Sequence, residues 1–248
     1  MITIKSRAEV EYMRKAGKIV SDTFKELKAA IKPGVTTKQL DEIAYKFITS
    51  QGATPSFKGY GGFPASICVS INDQVIHGIP DDTRLCEGDI VSIDIGACYH
   101  GYHGDSAKTF PVGKISEEAQ KLIDVTKQSF YEGIAFAKRG NRVSDISAAI
   151  QSYVEAHGYS VVRDYTGHGI GAKLHEEPSV LNYGTPGRGV RLVSGMTIAV
   201  EPMVNAGDYG VFVDADNDWT VYTDDGSLSA HYEHTILIRD GECEILTK

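Results

Sequence analysis

The sequence predicts an α+β fold built from two related halves, each a helix pair followed by strands, in one domain over residues 1–248. Three observations lead there. First, helical and strand periodicities appear in the same order twice. Second, a shift of 106 positions lays Phe24 on Phe130, Gly34 on Gly140, Leu40 on Ile146, Phe47 on Tyr153 and Gly52 on Gly158. Third, a shift of 107 lays EGDIVSID (87–94) over SGMTIAVE (194–201), so Glu201 falls at the place of Asp94. The pseudo-repeat runs roughly over 6–110 and 116–240. A repeat can arise for folding reasons alone, but here the superposed strands each keep an acid.

Ser6 and Glu9 form a capping box, and Val10, Met13, Gly17, Val20, Phe24, Leu27 and Ile31 trace one helical stripe that Pro33-Gly34 ends. A second helix starts after Thr36-Thr37, buries Leu40, Ile43, Ala44 and Phe47, and stops at Gly52. GYGGFP (59–64) is an aromatic loop, and SICVSIN (66–72) reads as a strand. A third helix begins near Ser116 and carries Leu122, Val125, Phe130 and Ile134. A fourth begins near Ser144, carries Ile146, Ala149, Ile150 and Tyr153, and ends at Gly158. Gly195 to Asn205 reads as one strand with Glu201 inside it, and HYEHTILI (231–238) as another with Glu233 inside it. Asp208 to Asp225 reads as an acidic, irregular segment holding the single tryptophan, Trp219.

The stretch Glu87 to Phe110 concentrates the chemistry. Val91, Ile93 and Ile95 alternate with polar residues as in a half-buried strand, and a second strand follows a turn at Tyr99, His100 and Gly101. With the loop centred between Tyr99 and His100, Asp94 and Asp105 fall directly opposite each other on one face. Facing side chains lie roughly 5 Å apart at Cβ, where like charges repel. Such a pair needs a shared proton, a cationic side chain or a metal. The one nearby cation, Lys108, has the parity of the other face.

Acids within apolar strands are unusual, because an unpaired buried carboxylate is strongly disfavoured. Taken singly, Asp94, Asp105, Glu201 and Glu233 could each be structural acids bonded to backbone amides. Together they sum to −4, which two divalent cations balance. His168 lies in TGHGIG (166–171), whose glycines let backbone approach a site closely. The spacing is neither GxxxxGK[ST] nor GxGxxG, so a phosphate cradle is disfavoured. Two aspartates, two glutamates and an imidazole make an oxygen-rich site suited to Mn(II), Fe(II) or Co(II), with Zn(II) also open.

The bulk properties narrow the setting. The formal charge of −8 argues against nucleic acid or an anionic membrane as main partner, and no apolar run nears the ~20 residues of a membrane span. The start lacks an apolar signal core. Four cysteines without CxxC spacing indicate neither a zinc knuckle nor a redox pair, and fit a reducing cytoplasm.

The order Asp94, Asp105, His168, Glu201, Glu233, set in VSIDIG, GYHGDSAKTF, TGHGIG, HEEP, AVEPM and YEHTILI, resembles the type I methionine aminopeptidases, in their short bacterial form. The likeness covers essentially the whole chain. It implies the pita-bread fold: two pseudo-symmetric halves, each with a helix pair and strands of a shared curved antiparallel sheet. It also implies a dinuclear metal site, with Asp105 and Glu233 bridging, Asp94 on one ion, and His168 with Glu201 on the other. The implied reaction removes the initiator methionine from newly made proteins by a metal-activated water, favouring a small second residue, with Glu201 moving the proton.

By the same resemblance His175 (in KLHEEP) polarises the carbonyl oxygen and His77 (in VIHGIP) contacts the scissile amide. A structural role as capped loop histidines is the alternative for both. Tyr60, Phe63, Cys68, His77 and Trp219 match the family's methionine pocket, with Phe57 and Leu174 at two further positions. Leu174 is aliphatic where the family has an aromatic ring, and Phe63 lacks a tyrosine hydroxyl. A monovalent cation near Asn72 and Ser229, action as a monomer, and nascent chain termini met at the ribosome complete what the family implies. The rival expectations are a proline-directed peptidase (prolidase or aminopeptidase P) and a non-catalytic binding protein on the same fold.

Overall fold

A computed structural model describes residues 2–248. Helix α1 spans Arg7–Ala30, and its capping box is formed as expected: Ser6 Oγ accepts from the Glu9 amide while Glu9 accepts from the Ser6 amide. The stripe from Val10 to Leu27 is buried. Helix α2 spans Thr37–Ser50 behind a Thr36–Gln39 capping box. Its buried face holds Leu40, Ala44 and Ile48, whereas the expected Ile43 and Phe47 are half-buried at its margin. Helix α3 runs Glu117–Ile134 from the Ser116 cap, and α4 runs Val143–Ala156.

The chain's apolar faces pair these helices with two sets of strands. Phe24, Leu27, Leu40 and Ile48 of α1 and α2 pack with Ile67, Val69, Val91 and Ile93 in one core. Phe130, Ile146 and Ile150 of α3 and α4 pack with Ile198, Val200 and Ile236 in another. Helix pair against strands, twice, is the architecture the pattern predicts, with the charged faces left to water.

The central hairpin differs from the prediction in register. Strands Ile90–Tyr99 and Tyr102–Pro111 pair with Tyr99 opposite Tyr102, so Asp94 faces Ala107 and Asp105 faces Gly96. The two-residue loop, His100-Gly101, has positive φ at both positions (50° and 81°), the conformation whose twist suits an antiparallel hairpin. The slip amounts to two positions and so preserves the face of every side chain; a slip of one would have reversed it. Asp94 and Asp105 therefore meet diagonally, not head-on. Lys108 does lie on the opposite face, its ammonium 4.7 Å from the centre of the Phe24 ring.

Two further strands are each interrupted where one was expected. Thr197–Val200 and Met203–Asn205 are separated at Glu201-Pro202, and Ser229–His231 and His234–Leu237 at Tyr232-Glu233. The reason is a change of sheet. Thr197–Val200 pairs with His234–Leu237, whereas Met203–Asn205 pairs with Ser229–His231 in a different sheet. Pro202 has no amide to donate at the break, and its carbonyl accepts from the Tyr232 amide instead. Both glutamates thus sit at corners and not inside strands.

The acidic segment from Asp208 to Asp225 also differs from the prediction. It contains a hairpin, Val211–Val213 paired with Val221–Thr223, which extends onto Gln74–Ile76. Its loop is organised by side chains: Asn217 Oδ1 accepts from the Trp219 and Thr220 amides, and Asp214 Oδ1 from the Asp216 amide. These turns use an Asn carboxamide and an Asp carboxylate as local acceptors.

Gly17 marks where α1 meets the C-terminal segment. A Cβ there would lie 2.1 Å from the Leu246 carbonyl oxygen, and a Cβ on Gly104 would lie 2.9 Å from the Gly17 nitrogen. In an open helix Gly→Ala is stabilising. Here Gly17→Ala is expected to destabilise the protein by about 1–3 kcal/mol through overpacking, read from a urea or thermal melt.

Candidate metal centre

The two corners and the hairpin converge beneath one cavity of about 310 Å³. Asp94, Asp105, His168, Glu201 and Glu233 all line it. The hairpin is stitched to the second half by short bonds around these acids. Thr235 Oγ1 accepts from the Asp105 amide and donates to its carbonyl, both at 2.9 Å. The Glu233 amide donates to Ala107 O at 2.9 Å, and Ser106 Oγ donates to the Glu233 carbonyl. Asn182 holds the Glu201 carbonyl at 3.0 Å.

His168 enters on the short strand Gly167–Gly169. A Cβ on Gly167 would lie 2.4 Å from Ala199 O, and one on Gly169 2.2 Å from Glu177 O, so only glycine lets this strand pass. The His168 Nδ1 lies 2.9 Å from the Gly169 carbonyl. A carbonyl only accepts, so Nδ1 carries the proton and Nε2 presents its lone pair to the site. That Nε2 is 3.5 Å from Glu201 Oε1 and 3.9 Å from Asp105 Oδ2. Burial, and then His175 beside it, push the imidazole down to about 3, so it is neutral.

The carboxylates have the opposite problem. Burial raises Asp94, Glu201 and Glu233 well above the usual range, and the neighbouring acids add to the effect. Burial takes Asp105 to about 7. Asp94 Oδ1, Asp105 Oδ1 and Glu233 Oε1 are buried with no hydrogen-bond partner. Ligand atoms of Asp105, His168 and Glu233 lie within 4.8 Å of one another, and those of Glu201, His231 and Glu233 likewise. Orphaned carboxylate oxygens facing a neutral imidazole nitrogen fit divalent metal ions. Asp94 lines the same cavity, and the charge of Asp105 beside it, after burial, raises its carboxyl further.

The cavity walls bring together the other residues singled out from the sequence. Tyr60, Phe63, Cys68, His77, His175 and Trp219 all line it, as do Phe57 and Leu174. Cys68 sits opposite Asp94 in the sheet, and burial followed by the nearby acids keeps its thiol protonated. The Phe63 and Trp219 rings meet edge to face at 5.1 Å. His175 Nδ1 is 2.6 Å from the Tyr60 hydroxyl, and its ring lies 4.2 Å from that of His168. His77 has a positive φ of 58° and is driven to about 4 by burial, then by His175.

Four neighbours escaped the sequence reading: Ile76, Tyr165 and Thr166 on the walls, and His231 behind Glu201. Tyr165 and Thr166 directly precede the GHG strand, a signal that could have found them. Lys5 was missed as well. It forms a buried 2.7 Å ion pair with Glu176, the residue after His175, and so ties the N-terminal segment to the cavity wall.

The paired halves and their acid-and-imidazole floor define a class of metal-dependent hydrolase. Residues 11–240 match metallopeptidase family M24, and the chain belongs to that family. Within it, the methionine aminopeptidase of Clostridium acetobutylicum is 61% identical over 248 residues, spanning 100% of this chain and 99% of that protein. The crystal structure of methionine aminopeptidase from Rickettsia prowazekii superposes with a TM-score of 0.99 at 46% identity, covering 100% of both chains. Prolidase from Pyrococcus furiosus, at 23% identity and TM-score 0.80 over 99% of this chain and 65% of that one, shares the pita-bread fold.

The site's charge makes stability depend on metal and pH. Asp105 is raised from 3.8 to about 7 in the folded state, so its proton stabilises the metal-free protein and that contribution is lost as pH rises through 7. The buried imidazoles His77, His168 and His231 are depressed to about 4, 3 and 3. Their contribution is lost on acidification and complete above the unfolded value of about 6.5. Of these carboxylates and imidazoles, only the carboxylates still change stability above pH ~6.5. After chelation the melting temperature is expected to fall from pH 6.5 to 8.5, with added Mn(II) restoring it most at the alkaline end.

Proposed function

We propose that the chain is a metal-dependent methionine aminopeptidase, releasing the N-terminal methionine of newly made proteins. The observation that carries this reading is one cavity with two chemistries: a floor of four carboxylates and an imidazole, and a wall of Phe57, Phe63, Cys68, Leu174 and Trp219. An unbranched thioether side chain fits such an apolar, aromatic wall, while a free α-amino group is drawn to the acidic floor. The similarity to methionine aminopeptidases over the full chain supports the same substrate.

Asp94, Asp105, His168, Glu201 and Glu233 would hold the metal, and their −4 charge is balanced by two divalent ions. When bound, such ions supply Lewis acidity and bring the ionisation of water into the neutral range. The oxygen-rich donor set suits Mn(II), Fe(II) or Co(II). The chain's own residues do the rest. Glu201 reaches the cavity and accepts the proton of the attacking water, then delivers it to the leaving amine. With the Tyr60 hydroxyl donating to His175 Nδ1, the proton of that neutral ring sits on Nε2. His175 Nε2–H donates to the carbonyl oxygen as negative charge develops there. His77, wedged between the Tyr165 and Trp219 rings, orients the scissile amide.

Methionine release from Met-Ala-Ser, compared with cleavage of an Xaa-Pro peptide, tests the reading with and without Mn(II) or Co(II). Metal-dependent release of methionine alone is expected. Preferential Xaa-Pro cleavage would assign a proline-directed peptidase, and no turnover of either peptide would favour a binding protein. In the same assay His175→Ala is expected to lower kcat by about 10²–10³-fold with bound metal unchanged by elemental analysis.

A further inference from the structure

Behind Glu201 lies an imidazole that the reaction described above leaves unused. His231 is 2% exposed and does not line the cavity. Its Nε2 is buried without a hydrogen-bond partner, 3.9 Å from Glu201 Oε2. The other oxygen of the same carboxylate, Oε1, faces His168 Nε2 at 3.5 Å. Glu201 is thus flanked by two imidazoles, one on each oxygen.

The two rings are not equivalent. Within 4.0 Å His168 reaches both Asp105 and Glu201, so it stands inside the acid cluster. Within the same 4.0 Å His231 reaches Glu201 alone, with Glu233 farther off but inside 4.8 Å. Its backbone is pinned by a single hydroxyl: the His231 amide donates to Thr109 Oγ1, and Thr109 Oγ1 donates to the His231 carbonyl, each at 2.9 Å. In the sheet it pairs with Met203, two residues beyond Glu201. A ring with a pinned backbone therefore faces a carboxylate at the corner between strands Thr197–Val200 and Met203–Asn205.

We infer that His231 is a positioning residue for Glu201: its Nε2–H donates to Oε2 and fixes the carboxylate's rotation, keeping Oε1 turned towards His168 and the metal-holding acids. A closing movement of about 1 Å brings the pair to charge-assisted hydrogen-bond distance. It removes the one orphaned nitrogen of the ring and leaves Oε1 free as a donor atom. Partners that orient metal-holding side chains in this way typically govern metal affinity as well as rate. The inference rests on reading Glu201 as a metal-holding residue.

Mn(II) titration of the metal-free protein, by calorimetry or by the electron paramagnetic resonance signal of free Mn(II), reads this directly. His231→Leu is expected to weaken Mn(II) binding about 10–100-fold. His231→Gln, whose amide N–H can reach the same oxygen, is expected to stay within about threefold of the parent protein. Unchanged affinity in His231→Leu overturns the inference, and so does His231→Gln binding as weakly as His231→Leu, since the ring itself would then be required. A parent protein that binds no Mn(II) overturns the metal site and the inference together. Long-range ¹H–¹⁵N spectra of the Zn(II)-loaded parent protein, labelled at histidine, need no variant to fold. A neutral His231 ring protonated at Nε2 supports positioning, and an unprotonated Nε2 overturns it.

Discussion

Four carboxylates buried within reach of one another, with no lysine or arginine among them, are the constraint on which this structure depends. Left ionised and unpaired they would be strongly destabilising, and burial accordingly drives their protonation upwards. The cluster is one whose groups could hold a metal ion. The backbone around it is tied by the Thr235–Asp105 and Glu233–Ala107 bonds, while Asp94 Oδ1, Asp105 Oδ1 and Glu233 Oε1 take no hydrogen bond from the protein.

Close backbone approach is the means by which the frame is packed so tightly. Gly167 and Gly169 let the His168 strand slide between Ala199 and Glu177, and Gly17 lets α1 settle on the C-terminal segment. Gly96, opposite Asp105, makes room for Phe57, whose ring would lie 2.7 Å from a Cβ there. One glycine thus serves both chemistries, since it brings an apolar wall of the cavity over the acid that forms its floor. The sheet changes at Glu201 and Glu233 act in the same direction. Each turns an acid out of a ladder and towards the site.

Around the acids the histidines divide by what holds their second nitrogen. His168 bonds a carbonyl and so offers Nε2 as a lone pair, whereas His175 meets the Tyr60 hydroxyl and can carry its proton on Nε2. Identical side chains thereby present an acceptor and a donor within one cavity. Burial lowers all three imidazoles, His168, His175 and His77, and so favours their neutral forms.

Much of this was legible in the chain. The helix caps at Ser6 and Thr36, the apolar stripes and the out-of-place acids in VSIDIG and AVEPM follow from local chemistry and periodicity, which survive any tertiary setting. Parity alone put Asp94 and Asp105 on one face and Lys108 on the other. The hairpin register did not follow, because the twist preference of the His100-Gly101 loop, not the strand pattern, set it. The strand breaks at Glu201 and Glu233 were hidden because continuous apolar sequence cannot reveal which neighbour each piece will pair with. His231 and Lys5 were hidden for the same reason: their partners, Glu201 and Glu176, are 30 and 171 residues away. The sequence by itself determined which groups could hold a metal and on which face they lay. Tertiary structure decided how they converge, because distances between distant residues are set by packing and sheet exchange, not by spacing along the chain.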